Sequence, residues 1–139
     1  MKTLQFLPFM ILFFSSVKAN AQETELAGRR FAAAQGQTCK SMTEGGCMLS
    51  FYRIMEFDAD SVLISWRVEA SCTPVEKEAA YEKMYDHLST KHKWTVENDV
   101  LRMEGSEEFE TLTISPGSLS GMKKSAGAEE GILFREELK

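Results

Sequence analysis

The chain has 139 residues, 27% of them charged, and a formal net charge of −5 at pH 7. This length suits one domain with a single hydrophobic core. An acidic chain repels phosphate backbones, which argues against nucleic-acid binding. The same charge argues against a basic helix that lies on a membrane surface.

The first 21 residues have the three parts of a secretory signal peptide. Lys2 supplies a positive charge, residues 4–14 are mostly apolar, and Ala19-Asn20-Ala21 is a small-x-small cleavage site. A membrane anchor is the alternative, but a spanning helix needs about 20 apolar residues. We therefore expect a cleaved signal peptide at 1–21 and one mature domain at 22–139, periplasmic or secreted and without a membrane span. Cleavage removes two lysines and no acid, so the mature chain is more acidic than the whole.

Residues 47–72 predict a long β-hairpin, because two apolar-rich runs flank the turn sequence Asp-Ala-Asp-Ser at 58–61. Pairing about the Ala59–Asp60 bond separates an apolar face from a polar one, and a slip of one residue would mix them. We expect the apolar face to surround one enclosed centre. Its facing pairs are Phe57 with Val62, Met55 with Ile64, Arg53 with Trp66, Phe51 with Val68, and Leu49 with Ala70.

The same register places Cys47 opposite Cys72, close enough for a disulfide after modest twisting of the strands. An oxidising compartment permits one disulfide among the three cysteines. The prediction is a Cys47–Cys72 bridge with Cys39 free, and a Cys39–Cys47 bridge is the alternative. The cysteines are widely spaced and lack a Cys-x-x-Cys pattern, so we expect no metal site.

Two further hairpins are predicted at 94–103, with a turn at Asn98-Asp99, and at 110–123, with a turn at Pro116-Gly117. The facing pairs are Trp94 with Met103, Val96 with Leu101, Ile114 with Leu119, and Glu110 with Lys123. Between the first and second hairpins, Thr73-Pro74-Val75-Glu76 matches a capping box and predicts a helix from Pro74 to about Ser89. The alternative is one more strand plus a loop.

Adding a first strand at 26–33, and a last strand at 132–138 after a loop at 123–131, gives eight strands. Successive hairpins favour an antiparallel meander, and eight strands suffice to close a barrel, which removes exposed strand edges. We therefore predict an all-β, eight-stranded antiparallel barrel, closed or nearly closed, with one helix near 74–89.

Four segments carry a resemblance to a known family: LAGRRF at 26–31, MEFD at 55–58, KWTVEN at 93–98 and ILFR at 132–135. Through them the chain resembles the small lipocalin-like domains of bacterial envelopes. A second resemblance, through TLTIS at 111–115 and LSG at 119–121, is to the META-type envelope domain. Both resemblances imply a small exported β-fold, and the first implies a lipocalin-like barrel.

Arg53 is the most informative polar residue, because the register places it among apolar partners and a buried guanidinium needs an anion or a hydrogen-bond acceptor. One reading is a pocket arginine that receives an anionic group of a ligand. The other is an arginine that stacks on Trp66 and pairs with an internal acid, or lies in water at the barrel mouth. The predicted ligand-binding residues are Arg53, Trp66, Trp94, Phe51 and Met103.

The catalytic signals are weak, since no nucleophile elbow, phosphate loop or zinc-protease motif occurs and His87 and His92 form no plausible pair. We therefore expect a non-catalytic module without a cofactor, which binds a small apolar or amphipathic ligand, including an anionic one, inside the barrel. The alternative is an envelope interaction or inhibitor protein with a packed core and a functional surface.

Overall fold

The computed structural model describes residues 26–138, so the predicted signal peptide and its cleavage site lie outside the described residues. Eight strands pair antiparallel with their chain neighbours, and the first pairs with the last to close a barrel. The prediction of an eight-stranded antiparallel barrel is confirmed. The strands are β1 (Arg30–Ser41), β2 (Gly46–Phe57), β3 (Ser61–Thr73), β4 (Thr90–Glu97), β5 (Val100–Met103), β6 (Thr111–Ser115), β7 (Ser118–Ser125) and β8 (Ala128–Glu137).

The long β2–β3 hairpin has the predicted register along its whole length, from Phe57 opposite Val62 to Cys47 opposite Cys72. Cys47 and Cys72 form a disulfide, as predicted, and Cys39 is free and exposed. The β4–β5 hairpin also has its predicted register. Its turn residues Asn98 and Asp99 have φ values of 51° and 61°, which a type I′ turn requires.

The predicted bounds of the first strand are wrong, since β1 begins at Arg30 and continues to Ser41. A bulge at Gln35 and Gly36 interrupts its register with β2, and Gly36 has a φ of 131°. Residues 37–41 are all exposed, so the sequence shows no alternation of apolar and polar side chains there.

The predicted loop at 123–131 is also wrong, because β7 and β8 continue to a two-residue turn at Ala126 and Gly127. The predicted pairing of Glu110 with Lys123 fails as well. Glu110 lies just before β6, and its carboxylate binds the ammonium of Lys124 at 2.8 Å.

The helical segment, residues 75–88, lies between β3 and β4 as predicted but is not one continuous helix. It consists of a 3-10 turn (Val75–Lys77), helix α1 (Glu78–Glu82) and a second 3-10 turn (Asp86–Leu88). None of their residues is buried and no side chain caps them. Short helices without such support are marginal in water. Across residues 26–138, no helix has both the length and the apolar character to span a bilayer.

The apolar face of the β2–β3 hairpin contributes to two separate cores, rather than to the single centre expected. Its end nearest the turn, with Met55 and Ile64, joins the barrel core, which also contains Trp94, Leu101 and Phe134. The outer parts of β1, β2 and β3, residues 37–41, 46–51 and 68–73, form an arm beyond the barrel. The arm core comprises Cys47, Leu49, Val68 and Cys72, packed against Met42, Phe51, Ala70, Tyr81, Met84 and Tyr85.

The junction of β1 and β8, called here the seam, has only three residue pairs, from Arg30–Glu137 to Ala32–Arg135. Two ion pairs lie at this junction: Arg29 with Glu136 at 2.6 Å, and Arg67 with Glu137 at 2.7 Å. The hydrogen bonds from these arginines hold the pKa of each carboxyl below its ordinary value of 4.5. The seam is therefore a short ladder reinforced by charge.

Candidate functional site

A cleft of about 490 Å³ lies where the barrel mouth meets the arm. Its volume falls in the range of small-molecule sites, about 300–1,000 Å³. Strands β1, β2, β3 and β7 and the helical segment all contribute to it. The lining residues are Gln35, Gly36, Gln37, Phe51, Trp66, Tyr85, Leu88 and Lys123.

Three aromatic side chains form an apolar wall of the cleft. The ring of Tyr85 lies 6.0 Å from that of Phe51 and 5.7 Å from that of Trp66, measured between centroids. All three rings are only half-buried, so part of their surface is available to a ligand. Phe51 and Tyr85 also pack against the arm core, which fixes the helical segment in place.

The polar side of the cleft comes from β1 and β7. The Lys123 ammonium donates a hydrogen bond to Oε1 of Gln35 at 2.8 Å. The sequence does not predict Gln35, Lys123 or Tyr85 as site residues. Gln35 lies beyond the predicted first strand, and Lys123 lies where the predicted third hairpin ends and the predicted loop begins. The signal that could have found Lys123 is the alternation along β7, which puts it on the same face as the buried Leu119.

Arg53 is buried, with 4% of its surface exposed, and its guanidinium is engaged within the protein. Both carboxylate oxygens of Glu108 accept hydrogen bonds from it, and its Nη1 donates to the Ser65 carbonyl at 3.2 Å. The guanidinium carbon lies 4.5 Å from the ring centroid of Trp66. This is the arrangement of an arginine stacked on Trp66 and paired with an acid of the same chain.

A second cleft, of about 350 Å³, contains Arg53 and Glu108 and shares Trp66 and Leu88 with the first. His92 also lines it, with Nδ1 at 2.8 Å from the Glu104 carbonyl oxygen and Nε2 at 3.0 Å from the Thr90 hydroxyl. Trp66 and Leu88 therefore form a partition between the two clefts.

The predicted ligand-binding residues divide into two groups. Phe51 and Trp66 line the larger cleft, and Arg53 joins Trp66 in the smaller one. Trp94 and Met103 lie in the barrel core and line neither cleft. The Trp94 indole donates to the carbonyls of Asp58 and Ser61, each at 3.1 Å. These two clefts thus lie at the barrel mouth, whereas Trp94 and Met103 are buried in the barrel core.

No family model, no curated protein and no solved structure matches this chain. Among residues 26–138, no cluster of three or more His, Cys, Asp or Glu side chains could hold a metal ion. A functional assignment therefore depends on the shape and chemistry of the two clefts.

Proposed function

We propose that this chain is an exported, non-catalytic binding module that takes a small apolar or amphipathic molecule in the larger cleft. The observation that carries the proposal is the half-buried aromatic wall of Phe51, Trp66 and Tyr85 beside a cavity of about 490 Å³. Aromatic walls with a few polar groups are the usual composition of small-molecule sites. Ligand entry at an open barrel end also agrees with the lipocalin-like resemblance.

The disulfide supports export. Such bonds persist in oxidising compartments and are rare where thiols are kept reduced. The Cys47–Cys72 bond lies in the arm core, directly beneath the segment that carries Tyr85. A compartment that preserves this bond would also preserve the apolar wall of the cleft.

Isothermal titration with decanol tests the binding proposal. We expect saturable binding to the wild type and about fivefold weaker binding to Leu88→Ala, which removes methyl contacts from the partition. Leu133→Ala is the matched control, because Leu133 is 46% exposed against 44% for Leu88 and lies outside the larger cleft. Native mass spectrometry after mild purification should additionally show a retained small molecule. Absence of binding to decanol and to decanoate alike would refute the proposed function.

The alternative, an interaction or inhibitor protein, is favoured by the open edges beside the seam. Within the described residues, β1 beyond Ala32 and β8 before Arg135 lack a partner on the sides that face each other. Exposed edges are templates for an added strand from another chain. This alternative predicts that a protein partner protects the backbone amides of 33–41 from hydrogen exchange, and that native mass spectrometry shows no small molecule.

A further inference from the structure

We infer that the ligand of the larger cleft carries an anionic head group, and that Lys123 binds it. This inference rests on the proposed binding function and specifies its ligand class: a single-chain amphiphile with a carboxylate or a similar anion. The apolar tail would lie against the aromatic wall and the head group would lie at the Lys123 rim.

The position of Lys123 suits this role. It is half-buried on β7, on the face that also carries Leu119, so its side chain extends into the mouth of the barrel. An ammonium group has three hydrogen-bond donors. The side-chain amide oxygen of Gln35 accepts one of them at 2.8 Å. The other donors can therefore reach an anion in the cleft without loss of the Gln35 contact.

The charge of Lys123 is not balanced by a carboxylate, in contrast to the charges of Arg53, Arg67 and Lys124. Arg53 is paired with Glu108, Arg67 with Glu137, and Lys124 with Glu110. Lys123 forms no ion pair with any carboxylate in the described part of the chain, although Glu130 lies opposite it in the β7–β8 register. A cation beside apolar side chains, where water is partly excluded, attracts an anion more strongly than an exposed one does.

Gln35 fixes the position of the Lys123 ammonium. Its amide nitrogen donates to the Ala34 carbonyl at 3.0 Å, and its amide oxygen accepts from Lys123. The amide group is therefore oriented with its acceptor toward the ammonium, which holds Lys123 at the rim. Because lysine offers a compact point charge rather than a planar fork, we expect selection for negative charge rather than for one head-group shape.

The test compares decanoate with decanol, which have the same chain length and differ in head-group charge. Titration of the wild type should show about tenfold tighter binding of decanoate, the size expected for one hydrogen bond to a charged group. Lys123→Gln should bring the ratio of the two affinities close to one, and Lys123→Arg should retain the preference. Lys124→Gln is the matched control, because that neighbouring ammonium is bound to Glu110 outside the cleft, and it should leave the ratio unchanged.

The outcomes of this test distinguish the anion preference due to Lys123 from the binding function of the larger cleft. Equal binding of decanoate and decanol by the wild type would overturn the inference and leave the proposed function intact. A loss of preference in Lys124→Gln as large as that in Lys123→Gln would also overturn it, because general surface charge would then explain the effect. If neither compound binds, the proposed function itself fails. Circular dichroism of each variant confirms that the barrel is folded.

Discussion

Arg53 and Lys123 are two cations at the same barrel mouth in different electrostatic states. Arg53 has lost almost all of its contact with water, and Glu108 and the Trp66 ring replace it. Lys123 has only the neutral Gln35 as a partner among the described residues. Removal of an acid from a desolvated cation costs more than removal from an exposed one, because water cannot take its place.

The first prediction follows from this difference. Glu108→Ala should lower the free energy of unfolding by about 1–3 kcal/mol, because the Arg53 guanidinium loses two hydrogen bonds while it is buried. The control is Glu107→Ala, which removes an exposed carboxylate one residue away and should change stability by less than about 0.5 kcal/mol. Urea denaturation measures the free energy of unfolding of both variants. Equal effects of the two variants would contradict the energetic role given to the buried pair.

The position of Arg53 was predictable from the sequence, but its partner was not. The alternation of residues 49–70 fixes the side of the sheet that Arg53 occupies and its position opposite Trp66. Glu108 is 55 residues away, in the irregular connection between β5 and β6. No periodic pattern sets where such a residue points, so only the folded chain brings the two together.

At the level of elements, the arm is stabilised by a small core, a disulfide and the helical segment. The backbone N–H of Cys72 donates to the Glu78 carboxylate at 2.9 Å, which ties α1 to the end of β3. The Tyr81, Met84 and Tyr85 side chains then cover the disulfide and its apolar neighbours. Because the arm core is small, we expect the disulfide to contribute a large part of the stability of the arm.

Loss of the disulfide should therefore destabilise the arm. Cys47→Ser with Cys72→Ser opens a loop between residues 25 positions apart, and we expect a loss of about 3 kcal/mol. Cys39→Ser is the control, because that thiol is exposed and forms no disulfide, so its replacement should have little effect. Thermal melts under non-reducing conditions provide the comparison. Similar melting temperatures for the double variant and the wild type would exclude a stabilising role for the bond.

The elements that sequence patterns predicted correctly have one solvent-exposed face and one buried face. The β4–β5 hairpin buries alternate residues, and the β2–β3 hairpin does so along most of its length, so their registers follow from hydrophobicity. The outer half of β1 and the β7–β8 turn region are exposed on both faces. Their strands form through backbone pairing, which leaves no hydrophobic alternation to detect. The cleft was missed because Gln35 and Lys123 lie where these stretches begin, Gln35 beyond the predicted first strand and Lys123 at the start of the predicted loop.

For the whole molecule, closure of the barrel depends on the seam. Its ladder is the shortest that β1 makes, and Glu136 and Glu137 anchor β8 to Arg29 and Arg67. Both carboxyls have a lowered pKa in the folded protein, so their contribution to stability is present above the unfolded value near 4.5. That contribution is lost as the pH falls through the lower, folded pKa values.

Acid should therefore weaken the seam before it affects the barrel core. At neutral pH, Glu136→Gln should have a lower melting temperature than the wild type, because the charged acceptor of Arg29 is lost. The difference should shrink as the pH falls below 4.5, the ordinary pKa of the group, and the wild-type carboxyl becomes protonated. Glu97→Gln, at an exposed position on β4, is the control. A difference in melting temperature that grows toward acid pH would have the wrong sign for this mechanism.

The division into a barrel core and an arm has an optical consequence, because the two indoles lie on different sides of it. Trp94 is enclosed in the barrel, with its N–H bound to backbone carbonyls, while Trp66 lies at the boundary against Arg53 and Tyr85. Intrinsic fluorescence of a Trp66→Phe variant would thus report only on the barrel. The emission of a Trp94→Phe variant would report on the cleft and the arm, so each region can be followed without an added dye.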